Sequence, residues 1–209
     1  MARQGMVFLP LRRLPIPSGV WHKCGKMARP RRTPTPLDPR QLEEIALAYV
    51  ARFATSRTKL EGYLARKLRE RGWADEAAAP VEAIAARMVA AGYVDDGAYA
   101  RAKGGSLLRR GYGARRISQA LQAAGIGAEL REAARPGEAA ERHAALALAA
   151  KRRLGPFSRA VPEREQREKQ LAAMLRAGHR ADHARAVLSA ADAAAAEAWA
   201  CELDDGDEA

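Results

Sequence analysis

The sequence predicts an all-α protein made of tandem three-helix repeats, with three units stacked into an elongated, curved array. Three observations carry that expectation. From Gln41 onward, apolar residues recur at spacings of three and four, which lines them along one face of successive helices. Hydrophobic residues make up 48% of the 209 positions but aromatics only 5%. Much of the apolar content is alanine, which favours helix and buries little area per residue, so thin layers of helices suit it better than one thick core. Finally, Gly72, Gly125 and Gly178 are 53 residues apart, and Leu68, Leu121 and Met174 each stand four residues before their glycine. A helix end recurring at a fixed interval marks a repeat whose units bury one another's apolar faces.

Each element has its own signal. Leu42, Ile45, Tyr49 and Phe53 line one face of a first helix. Thr58, with Glu61 three residues on, makes a capping box for a second, whose buried stripe is Leu60, Leu64 and Leu68 and whose end is Gly72. Pro80 suits the first turn of a third helix, with Val81, Ile84 and Met88 inward and Gly92 as its stop. The pattern then repeats. Asp95 or Asp96 caps a helix through Tyr99, Gly111-Tyr112-Gly113 breaks it, a helix bearing Ile117 and Leu121 ends at Gly125, and a short helix covers about 129–134. After Pro136-Gly137 a third unit starts near Ala139. It breaks at Gly155-Pro156, resumes with Leu171, Met174 and Leu175, ends at Gly178, and closes with a helix through Val187 and Leu188. The expected organisation is a disordered Pro/Arg-rich arm over 1–40, repeats over 41–94, 95–137 and 138–192, and an acidic tail over 193–209.

Seven of the eleven prolines lie in the first 40 residues, a density that opposes helix. Met27-Ala28-Arg29-Pro30 reads like a natural start, which would make residues 1–26 an upstream extension. The net charge is +11: residues 1–40 hold nine bases and one acid, and residues 197–209 hold six acids and no base. The body between them is therefore basic, which favours a polyanionic partner. Cys24 and Cys201 lie outside the patterned body, in neither a disulfide nor a zinc pattern. A reducing, cytoplasmic setting fits. No apolar run approaches the ~20 residues of a membrane span, and the opening apolar stretch is too short for a secretory signal.

The sharpest functional segment runs from Arg101 to Arg116. It carries Arg101, Lys103, Arg109, Arg110, Arg115 and Arg116 without an acid, and Gly104, Gly105, Gly111, Gly113 and Tyr112 lie among them. Glycines allow close backbone approach to phosphate, tyrosine can stack on a base, and arginine grips phosphate through two bonds; the plainer alternative is a solvated helix end. A second cluster, Arg57, Lys59, Arg66 and Lys67 with Arg69 and Arg71, is diluted by Glu61 and Glu70. Asp95-Asp96 reads as helix capping rather than a catalytic pair. His179 and His183 have metal-ligand spacing but no recognised companion ligand, so they read as surface histidines at a helix start. No nucleophile elbow, phosphate-binding loop or dinucleotide fingerprint occurs. No catalytic residue, metal or cofactor is expected, and the reading is of a binding protein rather than an enzyme.

These residues carry a resemblance. Gly92-Tyr93-Val94-Asp95-Asp96-Gly97-Ala98-Tyr99-Ala100 and Arg109-Arg110-Gly111-Tyr112-Gly113-Ala114-Arg115-Arg116-Ile117, followed by Leu121 and Gly125-Ile126, resemble two signatures of the RecX family of bacterial recombination regulators. Ser56 to Leu60, with Leu68 and Gly72, is similar to the opening of that family's first repeat, and the likeness spans about 41–190. The resemblance implies three-helix repeats that bind the RecA recombinase and its filament on single-stranded DNA. Such proteins lodge in the filament groove, restrain its growth and suppress strand exchange and ATP hydrolysis. It implies no catalytic residues, with single-stranded DNA as a further candidate contact and a monomeric chain. Three features depart from the family pattern: the proline-rich arm, Lys59 where an acid commonly precedes the leucine, and the acidic tail. The alternative is a helix-turn-helix DNA-binding regulator reading bases through Arg115, Arg116, Ser118, Gln119 and Gln122.

Overall fold

The computed structural model describes residues 35–204. Residues 1–34 of the arm expected over 1–40, with Cys24 and the Met27 start, and the tail after Asp204 lie outside the described residues. Ten helices make up the described chain: α1 (Pro39–Val50), α2 (Arg57–Arg71), α3 (Val81–Ala90), α4 (Asp96–Arg109), α5 (Ala114–Gln122), α6 (Ala128–Ala133), α7 (Glu138–Arg152), α8 (Arg164–Arg176), α9 (Ala181–Ser189) and α10 (Ala193–Cys201). A 3-10 turn, Gly155–Phe157, separates α7 from α8. No helix among the described residues is long and apolar enough to cross a membrane.

The first nine helices pack in threes, each triplet around its own small core. Leu42, Ala46, Leu60, Leu64, Ile84, Ala85 and Met88 close the first core. Tyr99, Ala100, Leu107, Ile117 and Leu121 form the second. Ala145, Leu148, Ala149, Met174, Ala184 and Val187 form the third. Alanine's short side chain brings α7 and α9 close together, as the composition predicts. Tyr112 packs against both the second and the third cores, joining the two.

Several local expectations are corrected. α2 begins two residues earlier than the Thr58–Glu61 pattern suggests: Ser56 is the cap, its Oγ accepting from the Lys59 amide at 3.3 Å. Ser56 is fully buried, so its second hydrogen bond, to another repeat, made it the better cap there. Phe53 lies beyond the end of α1 and is 56% exposed, leaning on Tyr49, which stacks on Tyr63 at 4.0 Å. Residues 37–40, expected as part of the arm, belong to the folded body. Leu37 is fully buried and bridges Trp73, its amide donating to the Gly72 carbonyl and its carbonyl accepting from the Ala74 amide, both at 3.0 Å. Asp38 then caps α1, with Pro39 in its first turn. At the other end, the segment read as a tail from residue 193 begins with α10, which packs on α7 and α9, so Cys201 belongs to the folded body.

Candidate functional site

The repeats meet at the ends of their second helices. The carbonyl end of α5 abuts the amide end of α2, and the carbonyl end of α8 abuts the amide end of α5. Ser56 Oγ donates to the Ala124 carbonyl at 2.6 Å. At the second junction the Gly113 amide donates to the Ala177 carbonyl at 3.0 Å and the Arg115 amide to the Gly178 carbonyl at 3.3 Å. Gly113 offers α5 no side-chain cap. The neighbouring repeat's carbonyls fill that role, satisfying amides that a helix start leaves unpaired. The opposed helix dipoles favour the same arrangement.

This junction explains the regularly spaced glycines. Gly125 and Gly178 have φ of 77° and 94°, conformations that a side chain resists. A Cβ on Gly125 would sit 2.1 Å from Thr58 Oγ1, and one on Gly178 2.4 Å from the Arg116 amide nitrogen. Gly111 and Gly113, read in sequence as openings for phosphate, are buried instead. A Cβ on Gly111 would meet Leu148 of α7 at 3.0 Å, and one on Gly113 the Gly178 backbone at 2.4 Å. Close approach is indeed why they are glycine, but what approaches is the next repeat. Tyr112, read as a base-stacking residue, is half-buried under the Arg110 guanidinium.

The acidic pair Asp95-Asp96 caps two helices. Asp95 Oδ1 accepts from the Ala98 amide at 2.9 Å, opening α4. Asp96 Oδ1 accepts from the Arg57 amide at 2.9 Å, capping α2 of the preceding repeat. Both jobs are structural.

The basic residues separate into two groups. Those of the first repeat are engaged: Arg57 with Glu61 at 2.9 Å, Lys67 with Glu70 at 2.7 Å, Arg66 with Glu70 at 3.6 Å, and Lys59 Nζ donating to Tyr99 Oη at 3.0 Å. Lys67 holds the Glu70 carboxyl below the usual carboxylate range. Those of the second repeat differ. Among the described residues, no carboxylate lies within 4 Å of Arg101, Lys103, Arg109, Arg110, Arg115 or Arg116. Arg101 and Arg109 project from the face of α4 opposite Ala100, Gly104 and Leu107, while Lys103 flanks that buried stripe. Arg110 and Arg116 are exposed where α4 turns into α5. Arg115 is exposed but already occupied: its Nη2 donates to the Leu175 carbonyl at 2.7 Å, capping the end of α8.

Beside that contact, a cleft of about 640 Å³ opens between the second and third repeats, with Arg115, Ser118, Arg131, Arg135, His179 and Arg180 on its wall. Arg131 and Arg135, in and just after α6, and Arg180, at the start of α9, do not stand out in sequence, because only folding gathers them on one cleft. Arg135 faces Glu132 and Glu141, and Arg180 is paired with Asp182, whose carboxyl it holds below the ordinary range.

The two histidines read as surface residues are buried, 5% and 3% exposed. His179 Nε2 bonds the Gly111 carbonyl at 3.1 Å across the junction. Burial pushes its pKa down, opposed by that hydrogen bond and assisted by His183. His183 lies edge-on to Trp199 and 3.7 and 3.9 Å from Glu138 and Glu141. His179 therefore serves the junction between repeats and His183 the packing of α9 on α7 and α10.

The junctions make sense of what the chain is similar to. A family model described as the second three-helix domain of RecX matches residues 95–134, the repeat with the unpaired basic residues. Regulatory protein RecX of Myxococcus xanthus (strain DK1622) is 38% identical over 165 residues, covering 73% of this chain and 87% of that protein. The crystal structure of RecX from Lactobacillus salivarius superposes with a TM-score of 0.54 at 19% identity, covering 69% of this chain and 90% of that one. A second crystal structure, of a regulatory protein RecX, gives 0.54 at 23% identity, covering 71% and 76%. Those two likenesses speak for the fold, and the Myxococcus relative for descent: the chain belongs to the RecX family of regulatory proteins.

Proposed function

We propose that this chain regulates DNA recombination and repair by binding the RecA recombinase filament on single-stranded DNA and inhibiting the recombinase, as the family resemblance implies. It acts by binding, with no chemistry of its own. One observation supports a site: the arginines and lysine of α4 and of the α4–α5 turn lack the carboxylate partners that occupy Arg57, Arg66 and Lys67 of α2. Charges left unpaired are available to a polyanion, whether DNA phosphates or an acidic protein surface. Arg101, Lys103, Arg109, Arg110 and Arg116 are the proposed contacts. Arg115 contributes through the junction it holds, and Arg57, Lys59, Arg66 and Lys67 are secondary.

The helix-turn-helix alternative would place the first turn of α5 in a DNA major groove. That turn faces Ala177 and Gly178 of the third repeat instead, which disfavours it.

The test is ATP hydrolysis by RecA filaments on single-stranded DNA with this chain added at substoichiometric amounts. Suppression is the expected result, and unchanged hydrolysis at saturating amounts removes the reading.

A further inference from the structure

Two consecutive residues of α7, Arg142 and His143, hold the turn that follows α10. Arg142 Nη1 donates to the Trp199 carbonyl at 3.1 Å and to Glu202 Oε2 at 3.0 Å, with its guanidinium 4.9 Å from the Trp199 ring centre. Nη2 of the same side chain reaches Glu138 on its own helix at 3.2 Å. The arginine thus fixes the chain on either side of Cys201. One position along α7, His143 Nε2 faces both oxygens of Asp204, at 2.7 and 3.0 Å. The Cys201 thiol is hydrogen-bonded to the same carboxylate. One nitrogen, one sulfur and one oxygen from three residues therefore lie within 4.8 Å of one another.

The order of these groups decides between two kinds of chemistry. In a cysteine nucleophile site the imidazole stands between thiol and carboxylate, taking the thiol's proton. Here the carboxylate stands between the other two, and the imidazole is turned to the carboxylate rather than to the sulfur. Convergence of three ligand atoms on one point is instead the geometry of a metal centre. We propose that His143, Cys201 and Asp204 form a binding site for a borderline divalent transition ion, zinc above all, with the fourth tetrahedral position left to water.

Thiolate and imidazole select such an ion over magnesium or calcium, which prefer oxygen ligands. Zinc–nitrogen and zinc–oxygen bonds are each about 2.0–2.2 Å. A tetrahedral angle then separates the two ligand atoms by roughly 3.3–3.6 Å. The His143–Asp204 pair would open by about 0.7 Å, a change that two partly exposed side chains can make by rotation. Binding would replace the proton shared by histidine and aspartate and release the Cys201 thiol proton to solvent. The aspartate is suited to the exchange: the hydrogen bond from His143 holds its carboxyl below the ordinary range, opposed by slight desolvation and helped by Cys201. The ion would rivet the end of α10 to α7.

The test uses the full chain carrying Cys24→Ser, so that Cys201 is the one thiol, titrated with cobalt(II) chloride and then zinc chloride. The expected result is one equivalent of cobalt bound with a thiolate-to-cobalt charge-transfer band, displaced by one equivalent of zinc. Adding Cys201→Ser should abolish the band. His143→Ala should weaken cobalt binding while circular dichroism at neutral pH stays unchanged. Absence of a thiolate band in the Cys24→Ser chain, or a band of unaltered affinity with His143→Ala, overturns the site.

Discussion

At the scale of single residues, two groups carry more than their type suggests. Gly178 combines a left-handed backbone with a gap that the Arg116 amide fills. Gly178→Ala should destabilise by about 1–3 kcal/mol from backbone strain alone, with the steric overlap added, as chemical denaturation would measure. Gly92 makes a useful control, because it has φ of 75° but open space around a Cβ; Gly92→Ala should cost only the strain. His179 gives a pH dependence with a definite sign. Its folded pKa lies below the unfolded one, so the unfolded chain takes the proton more readily. Its contribution is complete above the ordinary imidazole range, about 6.5, and is lost as pH falls through that value towards the folded pKa. Melting temperature should drop between about pH 7.5 and 5.5, and His179→Gln, which keeps a donor for the Gly111 carbonyl, should flatten that drop. An equal slope in the variant would assign the effect elsewhere. The role of His179 is not legible in sequence, where it reads as a surface residue, because its partner is a carbonyl 68 positions away.

At the scale of elements, the helices were readable and their ends less so. The interval of 53 residues locates the ends of α2, α5 and α8, because each ends in a left-handed glycine, and at Gly125 and Gly178 the start of another helix also leaves no room for a side chain. The beginnings were harder. The sequence points to Thr58 as the cap of α2, but only the distant Ala124 carbonyl explains why Ser56 holds that place. Asp96 was read as local, whereas its carboxylate serves α2 of the preceding repeat. Asp96→Ala should therefore lower stability by about 1 kcal/mol, and Asp95→Ala by a similar amount, with filament binding retained while the protein is folded. Loss of binding in a folded Asp95 or Asp96 variant would count against a capping role. The basic helix surfaces divide in the same way. Arg115→Ala should cost about 0.5–1.5 kcal/mol, since its guanidinium caps α8. Arg101→Glu with Arg109→Glu should leave the denaturation midpoint unchanged and weaken filament binding. If that pair binds filaments as the parent does, α4 is merely solvated.

At the scale of the whole molecule, the fold was legible because it is built from local patterns repeated, and the site was legible only as charge. Arg101 to Arg116 stands out in sequence, yet which of its members are spoken for depends on neighbours that the sequence does not reveal. The same holds for the cleft arginines and for His143 with Cys201, which lie 58 positions apart until α10 packs on α7. The proposed interface has a thermodynamic signature. If it meets DNA phosphates, binding to single strands should weaken with salt by about −0.7 in log–log slope per phosphate neutralised. The Arg101→Glu, Arg109→Glu chain should then show a shallower slope. If it meets acidic protein instead, bare DNA should bind poorly in parent and variant alike, while the filament still distinguishes them.

The junctions also impose a timetable on synthesis. Two of the second helices, α2 and α5, start against carbonyls that lie later in the chain: Ser56 waits for Ala124, and Gly113 for Ala177. While the ribosome is still making the second repeat, the opening turn of α2 lacks the Ala124 carbonyl to which its Ser56 hydroxyl donates. Synthesis from the N-terminus therefore leaves each newly formed unit unfinished until the following one emerges. A transcript cut short before residue 124 would leave α2 without that partner, however sound its own three helices.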